Sequence, residues 1–131
     1  MSNILNSWIL TFWVCVLLHL IADFNLQGIL ADMKQVVWWW KHAPDKKYEH
    51  DWRAALLCHA FMWSIITFAP LAFITNPYAF SVIVILNALI HACVDVMKAN
   101  LRWINLVEDQ LAHLAQIIIT IYCCSILVSI N

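Results

Sequence analysis

Several things are scarce in this chain. There is one glycine among 131 residues and no Gly/Ser-rich or charge-blocked stretch. Without an interdomain linker, residues 1–131 read as a single domain. Charged residues make up only 11% of the chain, and the formal net charge is -1. No basic excess exists to neutralise phosphates, so nucleic acid is not an expected partner. The five cysteines (Cys15, Cys58, Cys93, Cys123 and Cys124) form no C-x-x-C pair and are odd in number. They do not read as a disulfide framework or a zinc knuckle but as small buried hydrophobes. The first apolar segment lacks a positive leading region and a small-residue cleavage site, so it is expected to be a retained span rather than a cleaved signal.

Apolar residues are abundant instead. Hydrophobic side chains form 64% of the chain, and the mean hydropathy is +0.79. These values belong to polytopic membrane proteins. Four apolar segments exceed the roughly 20 helical residues needed to cross a hydrocarbon core: about 4–27, 52–74, 78–101 and 106–130. The T-N-P turn at Thr75 to Pro77 and a cap at Asn105 punctuate them. Short connections make neighbouring helices antiparallel. The expected architecture is all-α, a four-span transmembrane bundle. The segment DMKQVVWWWKH between spans one and two is expected to form a short interfacial helix. In it Trp38, Trp39 and Trp40 would lie at headgroup depth, with Lys34 and Lys41 reaching lipid phosphates.

All seven basic residues (Lys34, Lys41, Lys46, Lys47, Arg53, Lys98 and Arg102) fall in or beside the first and third connections. The positive-inside rule makes that face cytoplasmic and points both termini outward, as in a bacterial inner-membrane protein.

Histidines and aspartates recur inside the spans near this basic face. In HLIADFNLQ, His19, Asp23 and Gln27 stand one helical turn apart. His59 begins the second span, His91 and Asp95 end the third, and Asp109 and His113 begin the fourth. An up-down-up-down bundle brings all of these to one level. His19 to Asp23, His91 to Asp95 and Asp109 to His113 are each i,i+4 and share a helix face. An unpaired Asp at the bilayer centre costs about 2.5–3.5 kcal/mol, and polar residues kept in spans usually face the interior and carry function. One such residue alone would read as a hydrogen-bond staple worth about a kcal/mol or less. Seven converging from four helices match the way bundles build metal sites.

The expected ligands are therefore His19, Asp23, His59, His91, Asp95, Asp109 and His113, holding one or two divalent ions. Zinc is the first choice, with manganese or iron as alternatives. Asp95 and Asp109 are the expected catalytic carboxylates, and Gln27, Lys34, Lys98 and Arg102 the expected substrate-binding groups. Such a centre suits hydrolysis of a phosphate ester or acyl bond at headgroup depth. Two other classes fit less of the pattern. A metal or proton transporter would place its site near the midplane at helices broken by Gly or Pro. A non-enzymatic membrane factor, of a phage exclusion or lysis-regulating kind, would use the cluster only to lock the bundle. Membrane lipids are the expected partners, and a homo-oligomer is compatible with this reading.

HLIADFNLQ with Lys34, LLCH around His59, HACVDVMK at His91 to Lys98 and EDQLAHL at Asp109 to His113 resemble, in order, the motif series of a family of small bacterial and phage integral-membrane proteins, domain of unknown function 3307. The resemblance covers most of the chain and departs in GILADM after Gln27 and in the Trp-rich connection. It implies a small integral-membrane bundle and no particular activity. The His and Asp residues at helix ends are also loosely similar to those of membrane-bound metal-dependent hydrolases, which implies metal-assisted hydrolysis.

Overall fold

The computed structural model describes residues 2–130, and side chains of residues 7–128. Met1 and Asn131, the ends of the single domain read from the sequence, lie outside the described residues. Helix α1 (Ser2–Ile21) runs into a π-helical turn at Ala22–Leu26. Gly28, with φ of 48°, supplies the left-handed step that ends this span. Two short helices follow, α2 (Leu30–Met33) and α3 (Val36–His42). The second span is α4 (Asp51–Phe68), closed by a 3-10 turn at Ala69–Phe73. The third and fourth are α5 (Pro77–Ala99) and α6 (Leu106–Ile130).

Four of these helices are long and apolar enough to cross a membrane. They pack in a ring in which α1 touches α4 and α6, and α5 touches α4 and α6. The expected all-α, four-span bundle is thus the observed architecture. The helix starts follow local chemistry. Asn76 caps α5 by accepting from the Ala79 amide, with Pro77 at the first helical position. Asn105 accepts from the Val107 and Glu108 amides while Glu108 reaches back to the Asn105 amide, closing a capping box on α6.

The burial pattern is inverted relative to a soluble protein. Leu10, Leu17, Leu86 and Ile119 are exposed, whereas His59, His91, Asp109 and His113 are fully buried. Bundles in lipid gain nothing by burying leucine, so small residues and polar pairs occupy the interior. Ala60, Ala88 and Ala92 join Leu56 where α4 meets α5. Away from the basic face, Cys15, Trp63, Phe68, Leu71, Ile117, Ile121 and Cys124 form the apolar core.

The short helix expected within DMKQVVWWWKH is present as α3, and the chain is extended just before it at Gln35, with φ and ψ of -96° and 129°. This break lets Lys34 turn inward, away from lipid phosphates, where it is 7% exposed. Of the three tryptophans only Trp40 is fully exposed; Trp39 is buried, its indole N–H donating to the Met33 carbonyl at 2.6 Å.

The α4–α5 seam depends on small side chains. Replacing Ala88 with Leu is expected to overpack it and lower stability by about 1–3 kcal/mol. Thermal unfolding in detergent micelles measures this, and an unchanged midpoint would show that the seam is loose.

Candidate metal centre

The polar residues read from the sequence do meet. His19, Asp23, His59, His91, Asp95, Asp109 and His113 are all at most 5% exposed, and they come from all four spans. His91 is central. Its ring stacks between Trp63, at 4.0 Å between centroids, and His113, at 4.2 Å. His91 Nε2 faces His59 Nε2 at 3.1 Å, and His91 Nδ1 faces His113 Nδ1 at 3.2 Å.

The carboxylates surround this row. Asp95 Oδ2 lies 3.3 Å from His59 Nε2 and 3.5 Å from His91 Nε2. Asp23 Oδ1 lies 3.6 Å and 3.9 Å from the same two nitrogens. A tetrahedral ion with bonds of 2.0–2.2 Å sets its ligands roughly 3.3–3.6 Å apart. These spacings bracket that edge, so the donors fit a divalent ion without large movement. Three sets of donor atoms, each within 4.8 Å of one another, could hold a metal: Asp23, His59 and His91; His91, Asp95 and His113; Asp23, Asp109 and His113. Asp23, His91 and His113 each belong to two sets, so adjoining positions would share ligands.

Hydrogen-bond accounting also leaves donors free. A neutral imidazole has one N–H, yet His91 faces ring nitrogens on both sides, so the three-histidine row has a single direction. If His113 Nδ1–H donates to His91, then His91 Nε2–H donates to His59. His113 Nε2 is then left beside Asp109 Oδ1 at 3.4 Å. Neither of these two buried atoms has a hydrogen-bond partner, and His59 Nδ1 is likewise unpaired. Buried polar atoms are nearly always satisfied, so adjacent orphans mark room for a bound atom.

Charge compensation comes from lysines. Lys34 Nζ donates to Asp95 Oδ2 at 2.8 Å. Lys98 Nζ donates to Asp109 Oδ2, with a third of its side chain exposed. Three carboxylates against two ammonium groups leave one surplus negative charge when the imidazoles are neutral, a balance that favours a cation.

Several placements differ from the sequence reading. His19 is in the cluster but not in any of the three donor sets. Its Nδ1 accepts from the Trp63 indole at 2.9 Å and its Nε2 pairs with Gln110 Oε1 at 3.1 Å. Among the described residues no ion pair joins His19 to Asp23, whose Oδ1 faces His59 and His91 instead; a π turn begins just before Asp23, at Ala22–Leu26. His91 with Asp95 and Asp109 with His113 stay in regular helix and keep their i,i+4 contacts. Lys34, expected to bind substrate, is committed to Asp95. Gln27 is half-buried with an unpaired Oε1. Arg102 is exposed and lies outside the cluster.

Three contributors escaped the sequence reading. Gln110 donates to both Asp23 Oδ2 at 3.1 Å and Asp109 Oδ2 at 3.0 Å, joining α1 to α6. Trp63 lies one turn after His59 on the same face, a spacing that was visible within the apolar run. Asn100 accepts from the Val36 amide and donates to the Lys34 carbonyl, satisfying the backbone at the very break that lets Lys34 turn inward. A second polar layer lies one turn deeper. There Gln116 donates to the Asn87 carbonyl and Oδ1, and Thr120 donates to Asn87 Oδ1.

Comparison with family models, with curated proteins and with solved structures finds no match to this chain.

Lys34→Met removes one member of a buried pair and leaves Asp95 uncompensated. The metal-free protein is expected to lose about 3–5 kcal/mol, read as a lowered unfolding midpoint. Gln110→Leu is expected to cost about 1–3 kcal/mol by orphaning two carboxylate oxygens; a midpoint equal to wild type in either variant would show that the carboxylates are solvated.

Proposed function

We propose that the chain is a membrane-embedded, metal-dependent hydrolase, acting at the cytoplasmic interface on a lipid or lipid-linked phosphate or acyl bond. The observation that carries this reading is the set Asp23, His59 and His91. Three protein donors from three helices match the donor count of catalytic zinc sites, and Asp95 Oδ2 lies 3.3 Å and 3.5 Å from the Nε2 atoms of His59 and His91. Zinc is the preferred ion, with manganese or iron as alternatives, and the sharing of Asp23 among donor sets favours a second ion nearby.

A divalent ion bound there would supply Lewis acidity and make a neighbouring water more acidic. The chain's own residues do the rest. Asp95, oriented by Lys34 at 2.8 Å, holds a carboxylate oxygen beside the donor nitrogens, where it takes a proton as general base. Asp109 fills the corresponding place beside His113. Lys98, at the edge of the cluster, meets the negative charge developing on a phosphate or acyl oxygen. Trp63 and Gln110 are positioning residues that fix the His91 ring and the Asp23 and Asp109 carboxylates.

Two features favour hydrolysis over transport. Among the described residues buried polarity extends no deeper than the level of Thr11, Thr67 and Thr120, beyond which Phe68, Leu71, Ile121 and Cys124 close the bundle. The donors also lie toward the face bearing all the basic residues, which the positive-inside rule makes cytoplasmic in a bacterial inner membrane, with both termini outside.

Elemental analysis of detergent-purified protein is expected to find one or two equivalents of Zn, Mn or Fe. His59→Ala should lose most of that metal, while Asp95→Asn should keep the ion held by Asp23, His59 and His91 and lower hydrolysis of labelled phospholipids or polyprenyl phosphates by about 10²–10⁴-fold. Absence of stoichiometric metal would end this reading. Bound metal with no turnover of any lipid would reduce it to a structural centre.

A further inference from the structure

A groove of about 630 Å³ opens on the basic face between α3 and the end of α5. Its apolar wall is formed by Val36, Val37, Val96 and Trp52, and its rim by Trp40 and Arg102. None of these residues belongs to the metal centre. The groove lies where α5 ends and includes the exposed indole of Trp40, a side chain of the kind that favours a bilayer interface.

Arg102 stands out on its backbone. Its φ of 56° is left-handed, and the Leu101 and Trp103 amides turn back to the Val96 and Met97 carbonyls around it. Helices commonly end on such a residue, and it is ordinarily glycine. An arginine is disfavoured there, and an observed outlier of this kind points to a use for the side chain. Among the described residues neither Arg102 nor Arg53 forms an ion pair. The Arg53 guanidinium lies 5.4 Å from the centroid of Trp52, which lines the groove. An aliphatic trough edged by the Arg102 guanidinium, which forms no ion pair among the described residues, matches one kind of occupant: an amphipathic molecule with a negative head and an apolar tail.

We propose that this groove is a binding site for an anionic phospholipid, its phosphate on the Arg102 guanidinium and an acyl chain along Val36, Val37 and Val96. Guanidinium groups pair with phosphate through two parallel hydrogen bonds. The groove also adjoins the metal centre mechanically, because Asn100 lines it while holding the Lys34 carbonyl and the Val36 amide. A lipid seated there steadies the strap that delivers Lys34 to Asp95. The lipid site does not depend on the hydrolase reading.

The test uses the full chain in maltoside micelles, titrated with dioleoylphosphatidylglycerol or with dioleoylphosphatidylcholine, with bound lipid counted by native mass spectrometry and metal content measured in parallel. Wild type is expected to bind phosphatidylglycerol about tenfold more tightly, the scale of one charge-assisted hydrogen bond. Arg102→Gly relieves the left-handed turn, so it should fold with a midpoint at or above wild type, bind the two lipids equally within about twofold, and keep its metal. Arg102→Asn, which also tolerates this backbone, should behave alike. Equal binding of both lipids by wild type overturns the proposal, as does a phosphatidylglycerol preference that survives in both variants. Displacement of phosphatidylglycerol by a soluble polyglutamate peptide overturns it in favour of an acidic protein partner. Because metal content is read separately, failure here is distinguishable from failure of the metal centre.

Discussion

Asp23, Asp95 and Asp109 lie inside an apolar bundle, and a carboxylate in that environment persists only if positive charge or hydrogen-bond donors surround it. Much of the local structure at the basic face follows from meeting that demand. Lys34 has to leave the interface and enter the bundle to reach Asp95, so the connection between the first two spans breaks at Gln35. The break would strand a carbonyl and an amide, and Asn100 satisfies both. Asp109 draws in Lys98 from the neighbouring helix, and Gln110 divides its amide N–H groups between Asp23 and Asp109.

These compensations are incomplete in a chemically directed way. The lysines and Gln110 approach Asp95 Oδ2, Asp109 Oδ2 and Asp23 Oδ2. Asp23 Oδ1 and Asp109 Oδ1 instead face histidine nitrogens. A purely structural staple would be expected to satisfy its members fully, since a half-satisfied buried network destabilises a fold. In Asp23 and Asp109 one oxygen is anchored and the other faces an imidazole nitrogen, whereas Asp95 Oδ2 meets both Lys34 and the histidines, so the packed cluster also has donors that could hold a metal ion. Trp63 adds rigidity by stacking on His91 and by holding His19 in one tautomer through its indole N–H.

Much of this was legible in the residues. Hydropathy alone delimits four spans, because bilayer thickness sets helix length. Asn76 and Asn105 announce their helix starts by side-chain chemistry that acts within three residues. The convergence of the His and Asp residues follows from their positions near alternate helix ends once the connections are short. His19 was harder. Its spacing to Asp23 implies a shared face, but its hydrogen-bond partners Trp63 and Gln110 lie 44 and 91 residues away, where no local spacing points. Lys34 and Trp39 were read as interfacial because such residues usually are, and burying them depends on Asp95 and Met33 being available elsewhere in the chain. Gln110 looked ordinary because its importance lies in two partners, of which Asp23 is 87 residues away.

The sequence by itself therefore determined the helices, their caps, their approximate lengths and the level at which polar residues gather, since each rests on local propensity or on the apolar length needed to cross a bilayer. Only the tertiary structure decided which nitrogen faces which oxygen, which lysine neutralises which aspartate, and which histidine is left to hold the others in place. Those choices rest on distances of three to four ångströms between side chains on different helices, and no spacing along a single chain encodes them.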